Sequence, residues 1–306
     1  MPALAKVVAD NAARTWSYVP VALFVGGTSG IGRGTAQAFA KHTKGNAHII
    51  ICGRNRSAAE ALIASFPKPT SPEAKHEFIE CDVTRMKHVR TATQSLLERL
   101  PKLNYLAITC GVFVFKGRDE TEEGIDTKMA LHYYARWKFI NDLMPLIQKA
   151  KDAGEDSKVL SVLAAGAGGR IDVDDLGLKK HFSVFAAGTQ VPSYNDVMVK
   201  SLAKRYPGIA FCHAYPGVVR TSIFSRSPSR LLRPASKVLG VMMYPFSWSE
   251  GDCGENMLWA MLNSEPGASR RNDKGDDIGD TRYYGSEEIE KKLWEHTEEE
   301  MKRALA

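Results

Sequence analysis

The sequence predicts a doubly wound, parallel α/β sheet in a single domain. Two observations carry that expectation. Short apolar runs alternate with stretches of helical length, and a glycine-rich turn separates the first run from the first helix. Val21–Val25, Ala47–Cys52, Glu77–Cys81, Leu103–Thr109, Lys158–Leu163 and Ile209–Ala214 read as six strands. Strands buried on both faces need such continuous apolar runs, and the crossovers between parallel neighbours are right-handed. Gly34–His42, Ser57–Phe66, Met86–Leu100 and a long stretch within Glu122–Ala150 read as the intervening helices. Thr281–Tyr284 reads as a last strand. The charged helix after it, Ser286–Ala304, repeats Ile289, Leu293 and Met301 near helical spacing and is expected to dock one face. Three segments stand outside this alternation. Residues 1–19 read as a helical extension ahead of the domain at 20–306, residues 269–280 as a mobile polar loop, and residues 222–249 as an interruption rich in Ser, Pro, Arg, Met and aromatics.

Composition narrows the function. With 44% apolar and 25% charged residues, the chain can bury a full core, which excludes a disordered tail or a fibre. Lys and Arg exceed Asp and Glu by 41 to 35, a mild excess that argues against a dedicated nucleic-acid binder. The longest apolar runs fall far short of the roughly 20 residues of a membrane span. The five cysteines, Cys52, Cys81, Cys110, Cys212 and Cys253, are odd in number and form no Cys-x-x-Cys. Buried thiols in a reducing compartment are expected, with neither a disulfide framework nor a metal site. Residues 1–19 lack the apolar core of a secretory signal, so a cytoplasmic location is expected.

The strongest motif is Val25-Gly26-Gly27-Thr28-Ser29-Gly30-Ile31-Gly32, after a strand and at the start of a helix. Glycines let the backbone turn tightly and approach a pyrophosphate, and the helix N-terminus offers free amides and a positive dipole end. The spacing Gly-x-x-x-Gly-Ile-Gly resembles that of the short-chain dehydrogenase/reductase family, with Val25 where its signature has threonine. The resemblance runs from about residue 20 to 221. It implies a Rossmann-type fold and a nicotinamide cofactor held by Gly26, Thr28, Ser29, Gly30, Ile31 and Gly32. Asp82 and Val83 match its adenine-contacting pair, Gly111 the glycine after its fourth strand, and Pro216, Gly217 and Thr221 its nicotinamide segment. Where an NAD site usually carries an acidic residue, this chain has Cys52-Gly53-Arg54-Asn55-Arg56 and no acid from Ile49 to Ala59. Arginine's planar fork suits a 2′-phosphate, so Arg54, with Asn55 beside it, or Arg56 points to NADP(H).

The chemistry half of that resemblance is missing. The family uses a tyrosine made more acidic by a lysine one helical turn on, a serine and an asparagine. The alignment puts His132 at the asparagine position and Ala164 at the serine position. Tyr194 has Met198 four residues on, and Lys200 sits about 240° around the helix from it. Counting the family's roughly thirty residues back from Pro216 lands instead on Ala186, with Gln190 in the lysine's place. Pro192 is expected to break any helix here. A fungal branch of the family, often found among natural-product genes, is similar in His132-Tyr133-Tyr134-Ala135-Arg136, Phe211-Cys212-His213-Ala214-Tyr215-Pro216-Gly217 and Trp294-Glu295-His296-Thr297.

Other titratable residues fall near strand ends, where ligands of open α/β sheets bind: His132, Arg136, Asp172, Asp174, Asp175, Tyr194 and His213. Of these, His132 and Tyr194 are the proton-handling candidates. Arg136 suits a substrate anion or a structural ion pair. The Asp172–Asp175 cluster suits loop capping, and His213, in an apolar strand, suits a core histidine. Residues 197–249 hold eight basic residues and no acid, which suits an anionic ligand or a solvated face. In the resembled family this region is the substrate lid. Its apolar residues, Leu231 to Trp248, suit a bulky hydrophobic ligand. The reading is therefore an NADP(H)-dependent oxidoreductase acting on a hydrophobic carbonyl or alcohol, in secondary metabolism. Two alternatives stand beside it: a non-redox cyclase or isomerase, and a catalytically inactive NADP(H)-binding protein. A homodimer through the two long helices is an option that the resemblance carries.

Overall fold

The computed structural model describes residues 3–112, 116–221 and 247–306. Seven strands among them form one sheet: β1 (Val21–Val25), β2 (His48–Gly53), β3 (His76–Glu80), β4 (Tyr105–Ile108), β5 (Lys158–Val162), β6 (Ala210–Ala214) and β7 (Gly267–Arg271). Their order is β3-β2-β1-β4-β5-β6-β7, and every pairing is parallel. The chain winds outward in opposite directions from β1 and β4, so a crevice opens between the carboxyl ends of those two strands. This is the expected Rossmann-type sheet.

Helices cover both faces. On one lie α1 (Leu4–Ala13), α2 (Gly30–His42), α3 (Arg56–Ala64) and α7 (Glu250–Leu262). On the other lie α4 (Met86–Arg99), α5, α6 (Val184–Arg205) and α8 (Glu287–Leu305). Helix α5 is a composite: Thr127–Met129, a wider π turn over Ala130–Tyr134, then Ala135–Asp152. Strand alternation serves the two layers. Val21, Leu23 and Val25 of β1 face α4 and α5, while Ala22 and Phe24 face α2 and α7. The α2–α7 crossing is close because both helices present glycine. A Cβ on Gly34 would lie 2.0 Å from the Glu250 carbonyl oxygen, and one on Gly254 would lie 2.2 Å from the Gly34 carbonyl carbon. Within the N-terminal extension, Leu4–Ala13 packs on α7, where Asn11 Nδ2 donates to Glu255 Oε2 at 2.9 Å.

Two expectations are corrected. The last strand is Gly267–Arg271, which overlaps the start of the stretch expected as loop, and Thr281–Tyr284 forms no strand, its first two residues being a turn. Gly-Ala-Ser-Arg-Arg has no apolar run to announce a strand. Arg270 can be buried there only because Asp196 Oδ2, 2.6 Å away, and the Gly279 and Thr281 carbonyls receive its guanidinium. Secondly, α6 runs through Pro192 unbroken. Most of its sides are buried, and Gly169 N–H supplies a donor to the Thr189 carbonyl at 2.9 Å beside the proline. The expected lid lies outside the described residues except for 247–249, as do Arg226, Arg230, Arg233 and Lys237 of the basic stretch.

Candidate active site

The crevice begins at the turn after β1. Gly26 has φ +82°, its N–H donates to the Cys52 carbonyl at 2.9 Å, and a Cβ on it would lie 2.8 Å from the Cys110 backbone nitrogen. A side chain is therefore excluded twice, by conformation and by space. Helix α2 then starts at Gly30. Its first-turn amides have no intrahelical acceptor, and the N-cap Ser29 makes no side-chain cap bond. These amides face a cleft of about 380 Å³. It is lined by Gly26, Thr28, Ser29, Gly30 and Ile31, by Arg54, Asn55 and Val83 past the ends of β2 and β3, by Gly111 past the end of β4, and by Thr221, which lies against Gly30. Backbone N–H groups around a glycine turn fit a dinucleotide pyrophosphate.

Four of the expected cofactor residues support this wall rather than line it. Gly32 packs under Gly26 and Thr109. Asp82 Oδ1 accepts from Thr84 N–H at 3.1 Å and Thr84 Oγ1 at 2.8 Å, shaping the turn that puts Val83 in the cleft. Pro216 and Gly217 stand back from it, Gly217 against Trp248 and Asp273. Cys81, Thr84, Thr109, Cys110, Thr127 and Leu131 line the cleft without having been singled out. Cys81, Thr109 and Cys110 directly follow strands β3 and β4. Counting one or two residues past each strand of the switch point is the signal that would have found them.

The two arginines after β2 part company. Arg56 lies over the Phe78 ring and near Glu60 and Glu80 at 3.8 and 3.4 Å. Arg54 lines the cleft, is exposed and forms no ion pair among the described residues. Asn55 caps α3, accepting from Ala58 N–H at 3.0 Å. No Asp or Glu lines the cleft among the described residues.

Past the end of β4 one buried cation ties the wall together. Arg136 is fully buried and does not line the cleft, and it makes no ion pair among the described residues, so neither role expected of it is seen there. Its Nη2 donates to the Cys110 carbonyl at 2.6 Å and its Nη1 to Ser161 Oγ at 2.7 Å and the Val162 carbonyl at 3.0 Å. Ser161 Oγ donates onward to Asn195 Oδ1 at 3.1 Å, and Asn195 Nδ2 donates to the His132 carbonyl at 2.8 Å. The His132 ring stands behind Gly111, and its Nε2 accepts from Val112 N–H at 3.0 Å. Burial, with Arg136 and Lys128 nearby, pushes its pKa down to about 3, so the ring is neutral.

Tyr194 is wholly buried. Its hydroxyl lies 3.2 Å from the Leu176 carbonyl and from Gln190 Oε1, and burial holds its pKa well above the ordinary phenol value. His213 is a core histidine: Nδ1 is 2.6 Å from Asp196 Oδ1, and Nε2 accepts from Ala164 N–H at 3.3 Å. Asp172 and Asp175 cap the loop after β5, Asp175 accepting from the Lys179, Lys180 and His181 amides. Lys200 pairs with Asp280 and Lys204 with Glu290, which neutralises part of the basic stretch.

Residues 20–168 match the short chain dehydrogenase family. An oxidoreductase of Emericella nidulans, AN1596, is 32% identical over 337 aligned positions, covering 100% of this chain and 99% of the relative. The chain belongs to the short-chain dehydrogenase family of oxidoreductases. The fold agrees with a short-chain dehydrogenase from Streptomyces avermitilis (TM-score 0.58, 17% identity, 93% and 94% of the two chains). It also agrees with an NADPH-bound carbonyl reductase from chicken fatty liver (TM-score 0.58, 18% identity, 85% and 99%). In this short-chain dehydrogenase, the cleft lining contains no tyrosine, lysine or histidine among the described residues. Ala164, expected at the position of the family's serine, donates its amide to His213 and accepts from Ala167 N–H at 3.1 Å. Gln190, which the count back from Pro216 expects at the lysine's position, accepts from Asp172 N–H at 2.9 Å.

Proposed function

We propose that this chain is an NADP(H)-dependent oxidoreductase of a bulky hydrophobic carbonyl or alcohol, working in secondary metabolism in the cytoplasm. The observation that carries the cofactor choice is Arg54: an unpaired, exposed guanidinium in a cleft whose described lining has no carboxylate. A ribose 2′-phosphate is the group such a fork would receive, whereas a 2′-hydroxyl would call for an acid. When bound, the nicotinamide supplies or accepts the hydride. The chain's own work is positional: the α2 amides and the Gly26 turn would hold the pyrophosphate, and Val83 would pack the adenine. Thr221 and Gly111 would border the nicotinamide.

Proton handling would differ from the usual tyrosine–lysine route. Tyr194 is committed to the core. His132 is nearer, but with Nε2 accepting from Val112 its role in the resting protein is to orient the Gly111–Val112 wall. The hydrophobic substrate is supported by the apolar composition of residues 231–248. Any homodimer would use a face other than that of α5 and α6, because α8 covers it: Tyr133 Oη lies 2.8 Å from Thr297 Oγ1, and Trp137 packs edge-on to Trp294.

The test is binding. NADPH should quench or shift tryptophan fluorescence at concentrations at least tenfold below NADH, and Arg54→Ala should remove that preference. Equal affinities in the unsubstituted protein would overturn the NADP(H) assignment. A non-redox, ring-forming or isomerising enzyme is a second reading, favoured by a described cleft lining without tyrosine, lysine or histidine. Product formed without consumption of NADPH would support it.

A further inference from the structure

We infer that Arg136 biases the cofactor cleft toward the reduced form of the nicotinamide, so that NADPH binds more tightly than NADP⁺. The inference rests on the cofactor reading above and goes beyond it to the redox form that the cleft holds. Arg136 carries a unit positive charge that is fully buried. Its bonds go to the carbonyls of Ile108, Cys110, Leu131 and Val162 and to Ser161 Oγ. These dipoles replace lost hydration but bring no net charge. No carboxylate pairs with it among the described residues, and the buried Asp196 of α6 is committed to Arg270 and His213.

That charge sits one backbone carbonyl behind the cleft. Two of the groups it grips, Cys110 and Leu131, line the cleft. The other charges nearby do not offset it. His132 is neutral, and Lys128 is engaged by Asp126 at 3.5 Å and by the Lys116 and Gly117 carbonyls. An oxidised nicotinamide ring is a cation and a dihydronicotinamide is neutral. A fixed buried cation therefore repels one form and not the other. At an effective dielectric of about 20, two unit charges about 12 Å apart differ from an uncharged pair by about tenfold in affinity. Screening by salt does little to a charge buried this deeply.

The experiment compares dissociation constants for NADPH and NADP⁺ by fluorescence titration, at low and high salt. The unsubstituted protein should bind NADPH at least tenfold more tightly than NADP⁺. Arg136→Met should reduce that ratio by about tenfold, whereas Arg136→Lys should keep it. If Arg136→Met does not fold, Arg136→Gln retains amide donors for the carbonyls without the charge and carries the same comparison. Equal affinities in the unsubstituted protein, or a ratio unchanged by removal of the charge, would overturn the inference while leaving the cofactor assignment intact. Failure of both nucleotides to bind would instead remove the cofactor assignment, and this inference with it.

Discussion

Tyr194 and Arg54 show how far a single side chain's identity carries. Tyr194 has the residue type of a family acid, yet it is packed edge-on to Tyr133 inside the core, with ring centroids 5.3 Å apart. Tyr194→Phe should leave turnover within about twofold and cost about 1 kcal/mol of stability, the worth of one hydrogen bond, measured by urea unfolding. Loss of turnover at unchanged stability would return the phenol to the chemistry. His132→Ala should act differently. Without the imidazole acceptor the Val112 amide loses its partner, so NADPH binding and turnover should fall together. Arg54 is the opposite case to Tyr194. The role proposed for it comes from the sequence, where an arginine at the end of β2 in a stretch without acids suits a 2′-phosphate. Only the structure separates it from Arg56, which Phe78 and two glutamates occupy.

At the scale of elements, the three short segments that resembled a fungal branch turn out to be contact surfaces. His132–Arg136 forms most of the π turn and the start of the following helix. Its Tyr133 and Tyr134 meet Thr297 and His296 of α8, each at 2.8 Å. His213 of β6 meets Asp196 of α6. Residues read as signatures are thus halves of joints. The α2–α7 crossing is another such joint. Gly254→Val should destabilise the protein by about 3 kcal/mol or more, because the added atoms meet backbone rather than a movable side chain. A thermal midpoint unchanged within a degree would show that the two helices can separate freely. The sequence could not announce β7 or the unbroken α6. An edge strand of Gly-Ala-Ser-Arg-Arg and a helix containing Pro192 both violate local preference, and both are held by partners distant in the chain.

For the whole molecule, two histidines with lowered pKa values help set the acid limit of stability. His132 is driven to a pKa of about 3 and His213 is also lowered by burial. Folded pKa values below the unfolded value of about 6.5 mean that the unfolded chain binds more protons in this range. Their contribution is full above pH 6.5 and is lost as pH falls below it, at up to about 1.4 kcal/mol per pH unit for each ring. Glu255 is held down to about 2, chiefly by the bond to His42 after burial is overcome, and Glu77 and Asp196 are also lowered. Their contributions are present above about pH 4.5 and vanish beneath it. Urea midpoints should therefore be flat near neutrality, decline from pH 6.5 and fall more steeply below 4.5. His132→Gln should flatten the first decline.

By itself the sequence determined the first six strands, the glycine turn after β1 and the arginine at the second strand's end. Each of these depends on local pattern: apolar runs long enough to be buried, a turn that only glycine can make, and a charge adjacent in sequence to its site. The tertiary structure decided which titratable residues reach the cleft and which are sealed in the core. It also decided that Arg136 stands there without a counter-ion among the described residues and that α8 covers the two long helices. Those outcomes depend on burial and on partners 25 to 164 residues apart, and solvation of a charge is a property of the packed surroundings rather than of the residue that carries it.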